Sequence, residues 1–220
     1  MRYYEYFTCG GDEIMANAKF FNLITLDKVK EAFKKCNYSF FENGDYNLNI
    51  FSIRNTEDKD SNNFNDVLCV CYKVKDKWFL EKFDCTTDPG YTSRESPVNN
   101  KGCAILVPGQ YRGCWHVGLH HGKYKALVQY KPVRVYRDNN KDKKLDFDEK
   151  SIETGMFGIN IHRATANKGG KSINVDNWSA GCTVIASKDD FDRFMKLVDE
   201  ASKRYGDVFS YTLFKEDQVL

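Results

Sequence analysis

His162 and Cys182 are the two residues whose types and setting support nucleophilic acyl chemistry. A free thiol titrates at about 8.5 and is mostly protonated at neutral pH, so a cysteine nucleophile needs an imidazole close enough to accept its proton. In Phe157-Gly-Ile-Asn-Ile-His162 the apolar Phe157, Ile159 and Ile161 alternate with Gly158, Asn160 and His162. That alternation predicts a strand over 157–162, with the apolar trio in the core and His162 on the opposite face beside Asn160. A polar loop over 163–176 returns to Asn177-Trp-Ser-Ala-Gly-Cys182, where Cys182 opens the next apolar strand, 182–186. A histidine ending one strand and a cysteine starting another can meet. Gly181 would let the backbone approach a substrate closely. The N–H groups of Gly181 and Cys182 are candidate donors to the oxyanion of a tetrahedral intermediate. The plainer reading is structural, since eight cysteines and four histidines offer many chance pairs and a cysteine opening a strand is ordinarily core.

Two other groupings carry chemistry. Cys114, His116, His120 and His121 form a dense Cys-x-His-x3-His-His cluster, for which zinc ligation is conceivable, although the spacing matches no standard zinc signature. With a strand at 114–119 and a turn at 120–123, these side chains would not converge. The run 138–149 places Asp138, Asn140, Asp142, the Lys144 carbonyl, Asp146 and Glu149 at the spacing of a twelve-residue calcium loop, with Leu145 at its apolar position. Its sixth residue is Lys143 where glycine is usual, and Val133-Arg-Val-Tyr136 before it reads as a strand. The ion such a loop would take is a structural Ca²⁺; the alternative is a solvated loop of mixed charge.

The elements that must position these residues are mostly strands. Hydrophobic residues make up 41% of the 220 and aromatics 15%, enough for a sizeable core. Thirty-three basic against 31 acidic residues, interspersed along the chain, leave a net charge of +2 and give no nucleic-acid footprint. Residues 1–22 read as a lead-in without the continuous apolar stretch of a secretory signal. Nothing approaches the ~18 apolar residues of a membrane span. A soluble protein made in the cytoplasm follows, with its thiols reduced. Thr25 caps a predicted helix over 26–36, and strands are predicted at 47–54, 66–74 and 77–84 with a tight turn at Lys75-Asp76. Cys69 and Cys71 would point the same way from the second of these strands, as small core residues. A turn-rich loop from Thr86 to Asn100 marks the boundary between two halves. Further strands are predicted at 103–107, 114–119, 125–129, 132–136 and 208–214. The one long helix is expected from Ser187 to about Arg204, with Phe191, Phe194, Met195, Leu197 and Val198 on its buried face.

His162, sixteen intervening residues and then Ser179-Ala-Gly-Cys182 resemble the signature of the L,D-transpeptidase family, a histidine, some 14–17 residues and then Ser/Thr-His-Gly-Cys. Ala104-Ile-Leu-Val-Pro-Gly-Gln-Tyr111 resembles the Pro-(x)-Gly-x-Tyr segment such domains carry ahead of the histidine strand. The runs Thr86-Thr-Asp-Pro-Gly90, Gly158-Ile-Asn-Ile-His-Arg163 and Trp178-Ser-Ala-Gly-Cys182 are similar to lysis-associated proteins of tailed phages and prophages, over about residues 45–200. The resemblance implies a small β-rich domain acting on the stem peptide of bacterial peptidoglycan. It makes Cys182 the nucleophile and His162 the base, with Gly181 supplying oxyanion geometry and Ser179 holding the cysteine turn. Two positions depart from the pattern: the histidine before the glycine is Ala180, and the polar pair after the cysteine is Thr183-Val184. Without those groups an amine acceptor site is missing, and water becomes the favoured attacker of the acyl-enzyme. His120 or His121 would line the groove in place of the lost histidine. Arg163 would bind a stem-peptide carboxylate or remain a surface charge, and Trp178 would wall the groove or simply pack.

The expected fold is α+β, mainly β, an L,D-transpeptidase-like β-sandwich or sheet with two helices. It comprises a lead-in (1–22), an N-terminal α/β half (23–95) packed on the rest, and a catalytic half (96–220). The expected function is a cysteine-dependent peptidoglycan hydrolase of the phage endolysin kind, needing no catalytic cofactor and no membrane insertion. It would reach the wall after lysis or membrane breach. The rivals are an L,D-transpeptidase that forms cross-links, a zinc-dependent wall hydrolase, and a non-catalytic wall-binding or virion protein.

Overall fold

The computed structural model describes residues 20–59 and 62–220. Much of the expected lead-in, up to residue 19, therefore lies outside the described residues. Thr25 accepts a hydrogen bond from the Lys28 amide and starts helix α1, Leu26–Lys35. Three strands follow: β1 (Asn49–Arg54), β2 (Asp66–Val74) and β3 (Lys77–Thr86). Lys75 and Asp76, both at positive φ (49° and 61°), join β2 to β3 in the two-residue reversal that suits the twist of a hairpin. The stretch expected as open loop contains a short helix, α2 (Tyr91–Glu95). Then come β4 (Cys103–Leu106), β5 (Gly109–His120), β6 (Tyr124–Gln129), β7 (Val133–Asp138), β8 (Glu153–Gly155), β9 (Ile161–Arg163) and β10 (Thr183–Ile185). Ser187 caps the long helix α3, Lys188–Tyr205, and β11 (Val208–Lys215) follows it.

Eight strands close into a barrel in the order β1-β11-β5-β6-β9-β10-β3-β2, while β4, β7 and β8 form a separate small sheet. The chain is thus mainly β. The sheet closes on itself instead of stacking as a sandwich, because β1 pairs in parallel with β11 and removes both free edges. Strands from before and after residue 96 belong to the same barrel. One apolar cluster joins Ile50, Leu68, Trp115, Leu127, Ile161 and Ile185 with Phe194, Met195 and Val198 of α3. A second places Val29, Ala32 and Phe33 of α1 over Phe51, Cys69 and Cys71 on the outer face of the first strands. Each fully buried Phe or Leu here contributes about 1.5–3 kcal/mol. Leu197, expected on the buried face of α3, is half-buried at its margin. Among the described residues, seven cysteines are all free thiols, and no helix is long and apolar enough to cross a membrane.

The predicted strand over 157–162 forms only in its last part. Gly158 takes a φ of +74°, and the Gln129 side-chain carbonyl accepts from the amides of Phe157 (2.9 Å) and Ile159 (3.0 Å). A side chain stands where a neighbouring strand's backbone would be. Ile159 and Ile161 are nevertheless buried, so the alternation reports burial correctly but not the ladder.

Candidate active site

The turn 179–182 is fixed by its own residues. The Ser179 hydroxyl donates to the Cys182 carbonyl (3.0 Å) and accepts from the Gly181 amide (3.1 Å), and Ser179 is 1% exposed. Its carbonyl takes two further bonds, from the Gly90 amide (3.0 Å) and the Ser93 hydroxyl (3.1 Å), which tie the turn to α2. Gly181 sits at φ +130°, and a Cβ there would lie 2.0 Å from the Ala104 carbonyl oxygen of β4. Only glycine fits. The expectation that the Gly181 N–H serves an oxyanion is corrected by this geometry, because that N–H points inward to Ser179. The Cys182 N–H, for which no intramolecular acceptor occurs among the described residues, is the donor left at the turn.

Parallel pairing of β9 and β10 sets Val184 opposite His162 and Thr183 opposite Ile161. Continuing that register sets Asn160 opposite Cys182, so residues 160 and 162 share one face with 182 and 184. The sulfur lies 3.4 Å from the Asn160 amide, which donates to it, and 3.3 Å from the Gly158 carbonyl, which accepts its proton. The imidazole of His162 is 3% exposed. Its Nδ1 lies 2.9 Å from the Arg163 carbonyl and 3.4 Å from the Tyr124 hydroxyl. A carbonyl can only accept, so Nδ1 carries the proton and Nε2 keeps the lone pair that general-base work requires. Burial pushes the Cys182 thiol up to about 11 despite the Asn160 amide, and burial with neighbouring His120 brings His162 down to about 3. Both groups thus rest neutral, Cys182 as the thiol and His162 as the imidazole.

His120 is 6% exposed and stacks face to face on His162, with ring centroids 3.9 Å apart and planes at 18°. His121, at φ +49°, packs edgewise on His120 at 4.1 Å. The Arg163 guanidinium lies over the Tyr124 ring at 4.1 Å, so the side chain remains beside the site as a local positive charge. Trp178 is 44% exposed, and its amide donates to the Val175 carbonyl at 2.8 Å. His116 packs against Tyr130, with ring centroids 5.0 Å apart. Among the described residues no group of three or more His, Cys, Asp or Glu is placed to hold a metal ion. Sequence reasoning passed over Tyr124 and the carbonyls of Gly158 and Arg163. Backbone acceptors leave no trace in residue identity.

In the 138–149 loop, the Asn140 carbonyl oxygen accepts from the Asp142 amide, so its NH₂ group faces the carboxylates of Asp142 (2.9 Å) and Asp146 (2.7 Å). Asp138 accepts from the Asp146 amide at 3.4 Å, the Lys144 amide donates to Asp142 at 2.7 Å, and Glu149 accepts from the Tyr136 hydroxyl at 3.2 Å. The Lys143 carbonyl accepts from Arg94 of α2. The loop thereby connects, through α2, to the Ser179 carbonyl.

Comparison of the chain with protein-family models, with curated proteins and with solved structures returns no match.

Proposed function

We propose that the protein is a cysteine-dependent hydrolase of peptidoglycan stem peptides, with an L,D-transpeptidase-like site and a phage endolysin-like role. The observation that carries the chemistry is a half-buried thiol at the head of β10, next to the strand that carries His162, whose Nδ1 is held by the Arg163 carbonyl so that Nε2 is left as acceptor. The substrate class comes from the motif resemblance, His162 followed by Ser179-Ala-Gly-Cys182. In the first half-reaction the sulfur attacks the peptide carbonyl carbon as Nε2 takes the thiol proton. The Cys182 amide is the donor nearest the developing oxyanion. Collapse returns the proton to the leaving amine and leaves a thioester. Water then loses a proton to Nε2, attacks the thioester and releases a carboxylate and the thiol.

Hydrolysis is favoured over cross-linking by what surrounds the cysteine. Ala180 is exposed and brings no polar group, Thr183 turns inward to the Tyr211 hydroxyl (3.0 Å), and Val184 is buried. None of the three offers a partner to an incoming amine. Mass spectrometry of purified muropeptides incubated with the protein tests the reading. Shortened stem peptides whose appearance needs both Cys182 and His162 and survives EDTA are expected. Undiminished cleavage by Cys182→Ala overturns the assignment, new cross-linked products would mark a transpeptidase, and sacculus binding with every bond intact would mark a wall-binding protein.

A further inference from the structure

We propose that Asn160 locks His120 as a neutral imidazole with its proton on Nε2, and that His120 so held is the positioning residue that keeps the ring of His162 oriented toward Cys182. The proposal rests on reading Cys182 and His162 as thiol and base.

The lock follows from a chain of hydrogen bonds with only one self-consistent assignment. The backbone amide of Gln129 can only donate, and it lies 2.9 Å from the Asn160 side-chain oxygen. That fixes the amide orientation. The Asn160 NH₂ must then face His120, whose Nδ1 is 3.0 Å away. Nδ1 accepts, so it carries no proton, and the neutral ring carries its proton on Nε2. Protonating His120 would set an N–H against an NH₂ group. Burial, followed by the electrostatic influence of His121 and Arg163, works in the same direction and brings His120 down to about 4.

The hairpin between β5 and β6 holds the ring in place. His120 pairs with Tyr124, and the Lys123 amide donates to the His120 carbonyl at 2.9 Å. The groups facing His120 are His162, stacked upon it, His121, Tyr124 and Arg163. With His120 neutral, one imidazole alone competes for the thiol proton. With His120 held neutral, an imidazolium at His162 would face an uncharged ring instead of a second imidazolium, leaving Arg163 as the positive charge nearby. A free His120 would titrate, repel that charge and let the ring of His162 swing.

Two measurements on the full chain test this. Long-range ¹H–¹⁵N NMR should show His120 with unprotonated Nδ1 and protonated Nε2, unchanged from about pH 5 to 8. In Asn160→Ala it should show mixed tautomers and titrate nearer the ordinary histidine value of about 6.5. The pH profile of iodoacetamide capture by Cys182 reads the thiol–base pair without any substrate. His120→Ala should slow capture roughly 10- to 100-fold, the scale of a misplaced catalytic group, whereas His120→Phe, which keeps a stacking ring, should restore most of the rate. On muropeptides the loss should fall on kcat more than on KM. A protonated Nδ1 in the wild-type chain sinks the lock, and wild-type capture by His120→Ala sinks the positioning role. Cleavage retained by Cys182→Ala, with the NMR result as stated, would sink the functional reading while leaving the lock in place.

Discussion

Replacing Ser179 by alanine removes one oxygen and leaves two backbone groups without partners. The Gly181 amide loses its acceptor at 3.1 Å and the Cys182 carbonyl loses its donor at 3.0 Å. An intramolecular hydrogen bond is worth about 0.5–1.5 kcal/mol net, and orphaning a buried group costs about 1–3 kcal/mol. Gly181 is buried and Cys182 half-buried, so full cost applies to the first and partial cost to the second. The sum is about 2–4 kcal/mol. For a chain of this size each kcal/mol moves the melting temperature by about 2–4 °C, so Ser179→Ala should melt roughly 5–15 °C lower. The Gly90 and Ser93 bonds end on the Ser179 backbone and survive the substitution, which keeps α2 attached and the fold intact. The turn should loosen, and capture of Cys182 by iodoacetamide should change in rate even at temperatures where the variant is fully folded. Thermal unfolding followed by circular dichroism, with alkylation kinetics at 25 °C, reads both effects. A melting temperature within about 1 °C of wild type and an unchanged capture rate would refute the view that the hydroxyl builds the turn.

The pH behaviour follows from the neutral resting pair. Capture of Cys182 should be slow at pH 7 and climb toward about 11, without the low-pH plateau of a preformed thiolate–imidazolium pair. Folding stability should respond at both ends. His162 binds a proton less well folded than unfolded, so its contribution is full above about 6.5 and is lost as pH falls toward 3, a loss that His162→Phe should reduce. The raised Cys182 thiol works oppositely, its contribution being lost as pH rises from about 8.5 through 11. If the 138–149 loop takes Ca²⁺, millimolar calcium should raise the melting temperature of the wild type but not of Asp142→Ala, and an equal rise in both refutes the site. A fragment starting at residue 96 lacks β1, β2 and β3, leaves the edges of β10 and β11 open, and should be insoluble; a soluble, active fragment would count against one shared barrel.

Much of the strand content was legible because its signals are local. Turn residues at Lys75-Asp76 and caps at Thr25 and Ser187 each act within a few residues. Closure of the barrel was not legible, since the pairing of β1 with β11 depends on partners far apart in sequence. The three residues of β8 have no apolar pattern and exist because β7 offers them an edge. At the site, residue types pointed to Cys182, His162 and Ser179, but not to the inward bond of the Gly181 amide, which follows from its φ of +130°. Nor did they place His120 on His162, for that contact is made between β5 and β9, strands that do not adjoin each other in the barrel.

The seam between the first and last strands also governs when the candidate site can assemble. Ile50 finds its neighbour only at Tyr211, so the barrel cannot close until nearly the whole described chain is present. Contacts of such separation carry the largest loop-closure entropy and form slowly. Thr183, next to Cys182, makes its buried hydrogen bond to Tyr211 of that same last strand. A growing chain therefore carries Cys182 and His162 for some time before the wall that supports them exists. A chain released before β11 is made would hold every candidate catalytic residue while exposing the unpaired edges of β1 and β5, a species prone to aggregate rather than to react.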